Sequence, residues 1–187
     1  MTRFHRKKLS FGFVVLSPEH NIGRIQGTVR SIKNYYDNMP INCVVDKDTT
    51  TSELKEIKEI CPTSKGKGTI TSLLNVGIKK GHKEWNIIVI EGAIVRPKLG
   101  YRYGSWVEDE KDILFPIVVD YNRDGMPIKI YNDFQESTLN GMCIHQKTFK
   151  KIGNFTENPL EISKRFWALD AISQGCKFKS ILGTKMC

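Results

Sequence analysis

The chain has 187 residues, 40% of them hydrophobic and 26% charged, which is enough for one domain with a real core. No apolar run approaches the roughly 20 residues that cross a bilayer, and the cysteines and histidines show neither CxxC nor HExxH spacing, which argues against a disulfide framework and a zinc site. The formal charge of +9 suits a polyanionic partner or an anionic substrate, but the basic residues are spread along the chain, so nucleic-acid binding rests on charge alone.

The basic start MTRFHRKKLS runs into FGFVVLS (11–17), an aromatic and β-branched stretch closed by Pro18. It is short for a signal sequence and no small-residue cleavage site follows. Residues 1–10 therefore read as a basic arm leading into a first strand, with a cytoplasmic location by default. From Asn21 the period changes. Ile22, Ile25, Val29, Ile32 and Tyr36 fall three or four apart and form one stripe of a helix that Asn21 can cap. INCVVD (41–46) is a second strand ending in acid. TTTSELKEIKEIC (49–61) reads as a helix starting at Thr51 or Ser52 and stopped by Pro62. SKGKG (64–68) reads as a flexible loop, without the spacing of a phosphate-binding P-loop. TITSLLNVGIKKG (69–81) is a third helix, with Ile70, Leu73, Leu74, Gly77 and Ile78 on one side. NIIVIE (86–91) is a third strand that stops at a carboxylate, Glu91, beside Gly92 and Ala93.

Short apolar strands alternating with helices predict a mainly parallel sheet covered on both faces. Ligands of such sheets bind at the carboxyl ends of strands, near a reversal of strand order. Three strand ends are therefore candidate site edges: Ser17-Pro18-Glu19, Asp46-Lys47-Asp48 and Glu91-Gly92-Ala93.

Further along, DILFPIVVDY (112–121) and MPIKIY (126–131) flank an Asp-Gly turn and predict a hairpin, with Pro116 and Pro127 at edges or bulges. TLNGMCIHQKTFKKIGNF (138–155) holds a strand-like piece and a short helix ending at Gly153. ISKRFWALDAISQG (162–175) is an amphipathic helix, read with Ile162, Phe166, Leu169 and Ile172 inward and Gly175 as its C-cap. CKFKSIL closes the chain with a strand. With no repeats and no linker, the reading is one α/β domain.

The order of these segments resembles nucleotide-sugar glycosyltransferases of the GT-A fold, the family 2 group in particular. FVVLSPEHN (13–21) is similar to that family's strand and Pro-containing turn, and INCVVDKDTTTSE (41–53) to its Val-Asp-Asp-Gly-Ser segment. GTITSLLNVGIKKGHKEW (68–85) is similar to its Asn-X-Gly helix before the central strand. LNGMCIHQKTFKKIGNF (139–155) and WALDAISQGCKFKSI (167–181) resemble its acceptor-side segments. The resemblance covers roughly residues 11–183 and implies a nucleotide-binding half (11–97) and an acceptor-side half (98–187). It implies a UDP- or GDP-sugar donor and an acceptor it does not specify, with the possibility of an oligomer left open.

Two departures stand beside it. The family's central strand ends in Asp-X-Asp, which holds a divalent metal. Here Glu91, Gly92 and Ala93 align, and one carboxylate makes at best a weak Mn²⁺ or Mg²⁺ ligand. The family's acceptor base aligns near Ser163 and Lys164, neither of them an acid, so Glu161 and Asp170 become the candidate catalytic carboxylates. Asp170 reads equally as a partner in a structural ion pair. The resemblance assigns nucleotide contacts to Asp46, with Asp48 beside it, to Pro18 and Glu19 through the turn, and to Asn75. Asp46 can equally be a turn acid, and Asn75 can equally bind a neighbouring loop. If cations replace the metal on the diphosphate, Lys65, Lys67 and Arg96 are placed in sequence to do so, Arg96 with the more specific forked geometry.

Overall fold

A computed structural model describes residues 9–95, 97, 99–116, 118–121, 127–131, 134 and 139–181. The basic arm up to residue 8, Arg96 and the hairpin turn at 122–126 lie outside the described residues.

Strand β1 (Phe11–Ser17) is buried along its whole length. Its alternation sends Phe11, Phe13 and Val15 to one face of the sheet and Val14 and Leu16 to the other. That two-sided burial is why the strand is apolar throughout rather than every second residue. Helix α1 (Ile22–Lys33) begins where Asn21 accepts a hydrogen bond from the Arg24 amide at 3.0 Å. Strand β2 (Ile41–Asp46) pairs parallel with β1. Helix α2 (Thr51–Ile60) starts at Thr51, as expected, and is closed there by a reciprocal capping box between Thr50 and Glu53.

The SKGKG segment corrects the loop expectation. Thr63–Gly66 is an edge strand, β3, parallel to β2. It has no apolar pattern because its outer side faces solvent. What recruits it is the open edge of β2, where the Cys43 amide donates to Pro62 O at 2.8 Å and the Lys47 amide to Gly66 O at 2.6 Å. Helix α3 (Ile70–Lys79) follows, capped by Thr69, and leads to β4 (Trp85–Ile90), which pairs parallel with β1 on its other side.

After α4 (Leu99–Trp106), β5 (Asp112–Pro116) joins the large sheet, whereas β6 (Val118–Tyr121) and β7 (Pro127–Tyr131) form a separate antiparallel pair. The run 112–121 is thus divided between two sheets, not one hairpin arm. Strand β8 (Cys143–His145), helices α5 (Gln146–Ile152) and α6 (Leu160–Ser173), and strand β9 (Lys177–Ile181) complete the chain. The large sheet has the order β3-β2-β1-β4-β8-β5-β9, and β8 alone runs against the rest. One core lies between the sheet and α1, α2 and α4, the other between the sheet and α3, α5 and α6.

Helix α6 corrects a second expectation. Its buried residues are Ser163, Lys164, Trp167, Ala168 and Ala171, while Ile162, Phe166, Leu169 and Ile172 face outward. The helix is apolar on both sides, so periodicity could not choose the inner one. The choice falls to Trp167, whose ring stacks on Phe155 at 4.5 Å and meets Phe149 and Phe178.

At the amino edge, His145 is buried and caps α5: its Nδ1 accepts the Lys147 amide at 3.1 Å. Burial pulls the imidazole below its ordinary value of 6.5, aided by Lys147 and opposed by Glu110 and Glu84. Below 6.5 the unfolded chain takes up the proton before the folded one does, so stability should fall as pH drops through that window. His145→Asn keeps a cap acceptor that does not titrate, and its Tm between pH 7 and 5 should fall less than that of the native chain.

Candidate functional site

Strand order reverses between β1 and β4, which opens a crevice at their carboxyl ends. Glu91 stands at that point, one residue past β4, and is 6% exposed. Its Oε2 accepts from the Ser17 hydroxyl at 2.7 Å and the Asn21 amide at 3.2 Å, and its Oε1 from the Glu19 amide at 2.6 Å. One carboxylate therefore pins the turn Ser17–Asn21 to the end of the neighbouring strand. Pro18 and Glu19 are held in place by this knot.

The loop after Glu91 is tied from α1. The Gly92 amide donates to Thr28 Oγ1 at 2.9 Å and the Val95 amide to Ser31 Oγ at 3.0 Å. Gly92 has φ 87°, the left-handed region that favours glycine. On the other side of the crevice Asp46 is buried, its Oδ1 accepting the Asp48 amide at 2.6 Å. Its Oδ2 lies where Gly68 leaves room, only 2.3 Å from the place of an added Cβ. Asp48 itself is exposed.

His20 and Arg24 complete the crevice, and the sequence reading missed both. His20 is the one described non-glycine residue with positive φ, 55°, a conformation that concentrates at functional sites. Its Nδ1 lies 3.3 Å from Thr49 Oγ1, which donates onward to Asp46 O at 2.8 Å. With the Thr49 proton on Asp46 O, Thr49 Oγ1 can accept from His20 in the tautomer that carries its proton on Nδ1, which is the one that leaves Nε2 as an acceptor. Arg24 pairs with Glu19 at the rim. A cation in the first turn opposes the helix dipole, and that mismatch was the available signal.

The other candidates are placed as follows. Lys65 Nζ donates to Lys47 O at 3.2 Å and Thr49 O at 3.4 Å, bracing the β2–α2 loop. Lys67 pairs with Glu157 at 3.1 Å on the exposed rim. Both ends of the Asn75 amide are taken by the backbone of Phe155, at 2.8 and 2.9 Å, so it binds the neighbouring loop. Glu161 is exposed, 3.7 Å from the buried ammonium of Lys164, at the start of α6. Asp170 is exposed and lies nine residues further, about 13 Å along the helix axis. Because α6 ends where β9 begins, and β9 runs with β5, Asp170 falls toward the amino edge. The fold brings Pro18, Glu19, Asp46 and Glu91 together and leaves Asp170 apart.

A metal does not fit Glu91. Both oxygens already accept protein hydrogen bonds, and among the described residues no group of three His, Cys, Asp or Glu side chains could hold an ion.

No family model and no curated relative matches the sequence. Solved structures do. TarS 1-349 of S. aureus in complex with UDP superposes with a TM-score of 0.66 over 95% of this chain at 13% identity. The same protein with UDP-GlcNAc gives 0.66 at 12% identity. The chain adopts the GT-A fold. It spans 59% and 57% of the length of those two chains. The bifunctional IspDF of Campylobacter jejuni also matches, with a TM-score of 0.60 at 11% identity over 93% of this chain and 50% of its own. Among the described residues no helix is long and apolar enough to cross a membrane.

Proposed function

We propose that the chain binds a nucleotide sugar, a UDP- or GDP-sugar, in the crevice between the ends of β1 and β4, and acts in metal-independent glycosyl transfer. The observation that carries this reading is the Glu91 knot at the reversal of strand order, in a fold shared with a protein solved with UDP and UDP-GlcNAc. A buried carboxylate spent on fixing a turn builds a rigid wall and leaves the metal's role to cations. Arg24, in the first turn of α1, lies beside the knot, its Cδ 3.5 Å from the place of an added Cβ at Gly92; Lys65, on β3, and Lys67, just after it, are further candidate cations. Arg96 is a further candidate by sequence. His20 offers Nε2 as an acceptor for a ribose or acceptor hydroxyl. Asp46 and Asp48 are proposed to face the base and ribose, and Glu161 is the better-placed candidate base.

The second reading is a binding module that keeps the fold without transfer. Two observations favour it: Asp170 lies away from the crevice, and Ser163 and Lys164 are buried where the family's base aligns.

Thermal shift and calorimetry with UDP, GDP and their sugars test both. At a hundredfold excess over Kd, the ligand should add about 2.7 kcal/mol and raise Tm by roughly 5–10 °C. Mn²⁺ should change Kd less than about twofold, well under 1 kcal/mol. No stabilisation by any nucleotide, with or without metal, overturns the proposal. Binding without sugar hydrolysis or transfer selects the second reading.

A further inference from the structure

We propose that α6 is the surface through which two copies of this chain pair, antiparallel, about a two-fold axis. The inference is independent of the nucleotide reading. Ile162, Phe166, Leu169 and Ile172 are 46%, 57%, 59% and 56% exposed and follow one another at successive turns of one helix. They form a continuous apolar stripe about 15 Å long. The opposite face of α6 is already buried through Trp167, Ala168 and Ala171. A helix that is apolar on both sides is ordinarily covered on both.

Size and charge say what covers it. The stripe exposes on the order of 400 Å² of apolar surface, the size of a monomer's largest patch, which is often functional. Two such stripes face to face would bury on the order of 800 Å² in total, the size of a weak, micromolar contact. The exposed charges of α6 are Glu161, Arg165 and Asp170, two acids and one base, in a chain of net charge +9. A bilayer-seeking helix carries basic flanks around its apolar face, and this one does not. Two copies of a strongly basic chain meet with least repulsion on a face where the charge is balanced. Apolar centre and mixed polar rim are also the anatomy of an isologous contact. The stripe is nearly symmetric about its middle, so in an antiparallel pair Phe166 faces Leu169 of the second copy and Ile162 faces its Ile172.

Sedimentation equilibrium of the native chain from about 1 to 200 µM, bracketing a micromolar Kd, should show the mass rise from 21.4 kDa to twice that value. Phe166→Glu and Leu169→Lys, both at exposed positions, should each stay monomeric with unchanged circular dichroism and with the native Tm at about 1 µM, where the native chain is itself monomeric. An equimolar mixture of the two should dimerise again, because the introduced carboxylate meets the introduced ammonium across the axis. A native chain that stays monomeric overturns the proposal, as does a dimer that neither substitution weakens. A mixture that stays monomeric overturns the antiparallel pairing. Flotation of the native chain with phosphatidylserine vesicles, lost on Phe166→Glu, would assign the stripe to a bilayer and overturn it as well.

Discussion

Replacing Glu91 by alanine should cost about 3 kcal/mol and lower Tm by roughly 6–12 °C. The substitution removes the common acceptor of the Ser17 hydroxyl and the Glu19 and Asn21 amides, and the hydroxyl is fully buried. Each orphaned buried donor costs about 1–3 kcal/mol unless water replaces the partner. Water can reach the two amides but not the hydroxyl, so one full penalty of about 2 kcal/mol plus a remainder of about 1 kcal/mol for amide bonds to a charged acceptor exchanged for water gives the sum. Glu91→Gln should be only slightly better, since one of its ends is a donor turned toward donors. Nucleotide affinity should fall at least about tenfold, or 1.4 kcal/mol, once the Ser17–Asn21 turn is released. Thermal melts followed by calorimetry check both. A variant with native Tm whose only loss is a Mn²⁺-dependent part of affinity would make Glu91 a metal ligand instead of a tether.

The position of Glu91 was legible in the sequence because an apolar strand that stops at a carboxylate is visible without a structure. Its partners were not, since two of the three are backbone amides, which carry no residue-type signal. The same asymmetry runs through the fold. Strands β1, β2 and β4 and helices α1 and α3 announce themselves by buried apolar patterns. Strand β3 does not, because it is recruited by a neighbour's open edge and keeps an exposed side. Helix α6 was found, but its inner face was misread because both faces are apolar. Asp170 comes forward only as an acid near the positions where the family's base aligns, and its place toward the amino edge follows from the direction of β9, which the alignment does not carry. His20 and Arg24 were passed over because their signals are conformational and electrostatic: a left-handed backbone at a histidine, and a cation at the positive end of a helix.

Gly77→Ala should destabilise the fold by about 2 kcal/mol, although alanine is the better helix former by roughly 1 kcal/mol. An added Cβ at Gly77 would lie 2.4 Å from Val14 Cγ1 and 3.2 Å from Val44 Cγ2. Both valines are fully buried in adjacent strands, and β-branched side chains have little freedom to turn away. Relief must come from α3 rising off the sheet. That helix carries Asn75, which clamps Phe155, and its cap Thr69 adjoins Gly68, against which the Asp46 carboxylate rests. Packing at Gly77 is thus coupled to the crevice, and nucleotide affinity should weaken together with Tm. Gly27→Ala in α1 is the control, because nothing lies within 4 Å of its added Cβ. There only the propensity gain remains, and the chain should be stabilised by about 0.5–1 kcal/mol. Opposite signs from one chemical change, measured by denaturant melts, would trace the effect to the close seat of α3 on β1 and β2. Stabilisation at both positions would mean that α3 sits further from the sheet than the 2.4 Å approach requires.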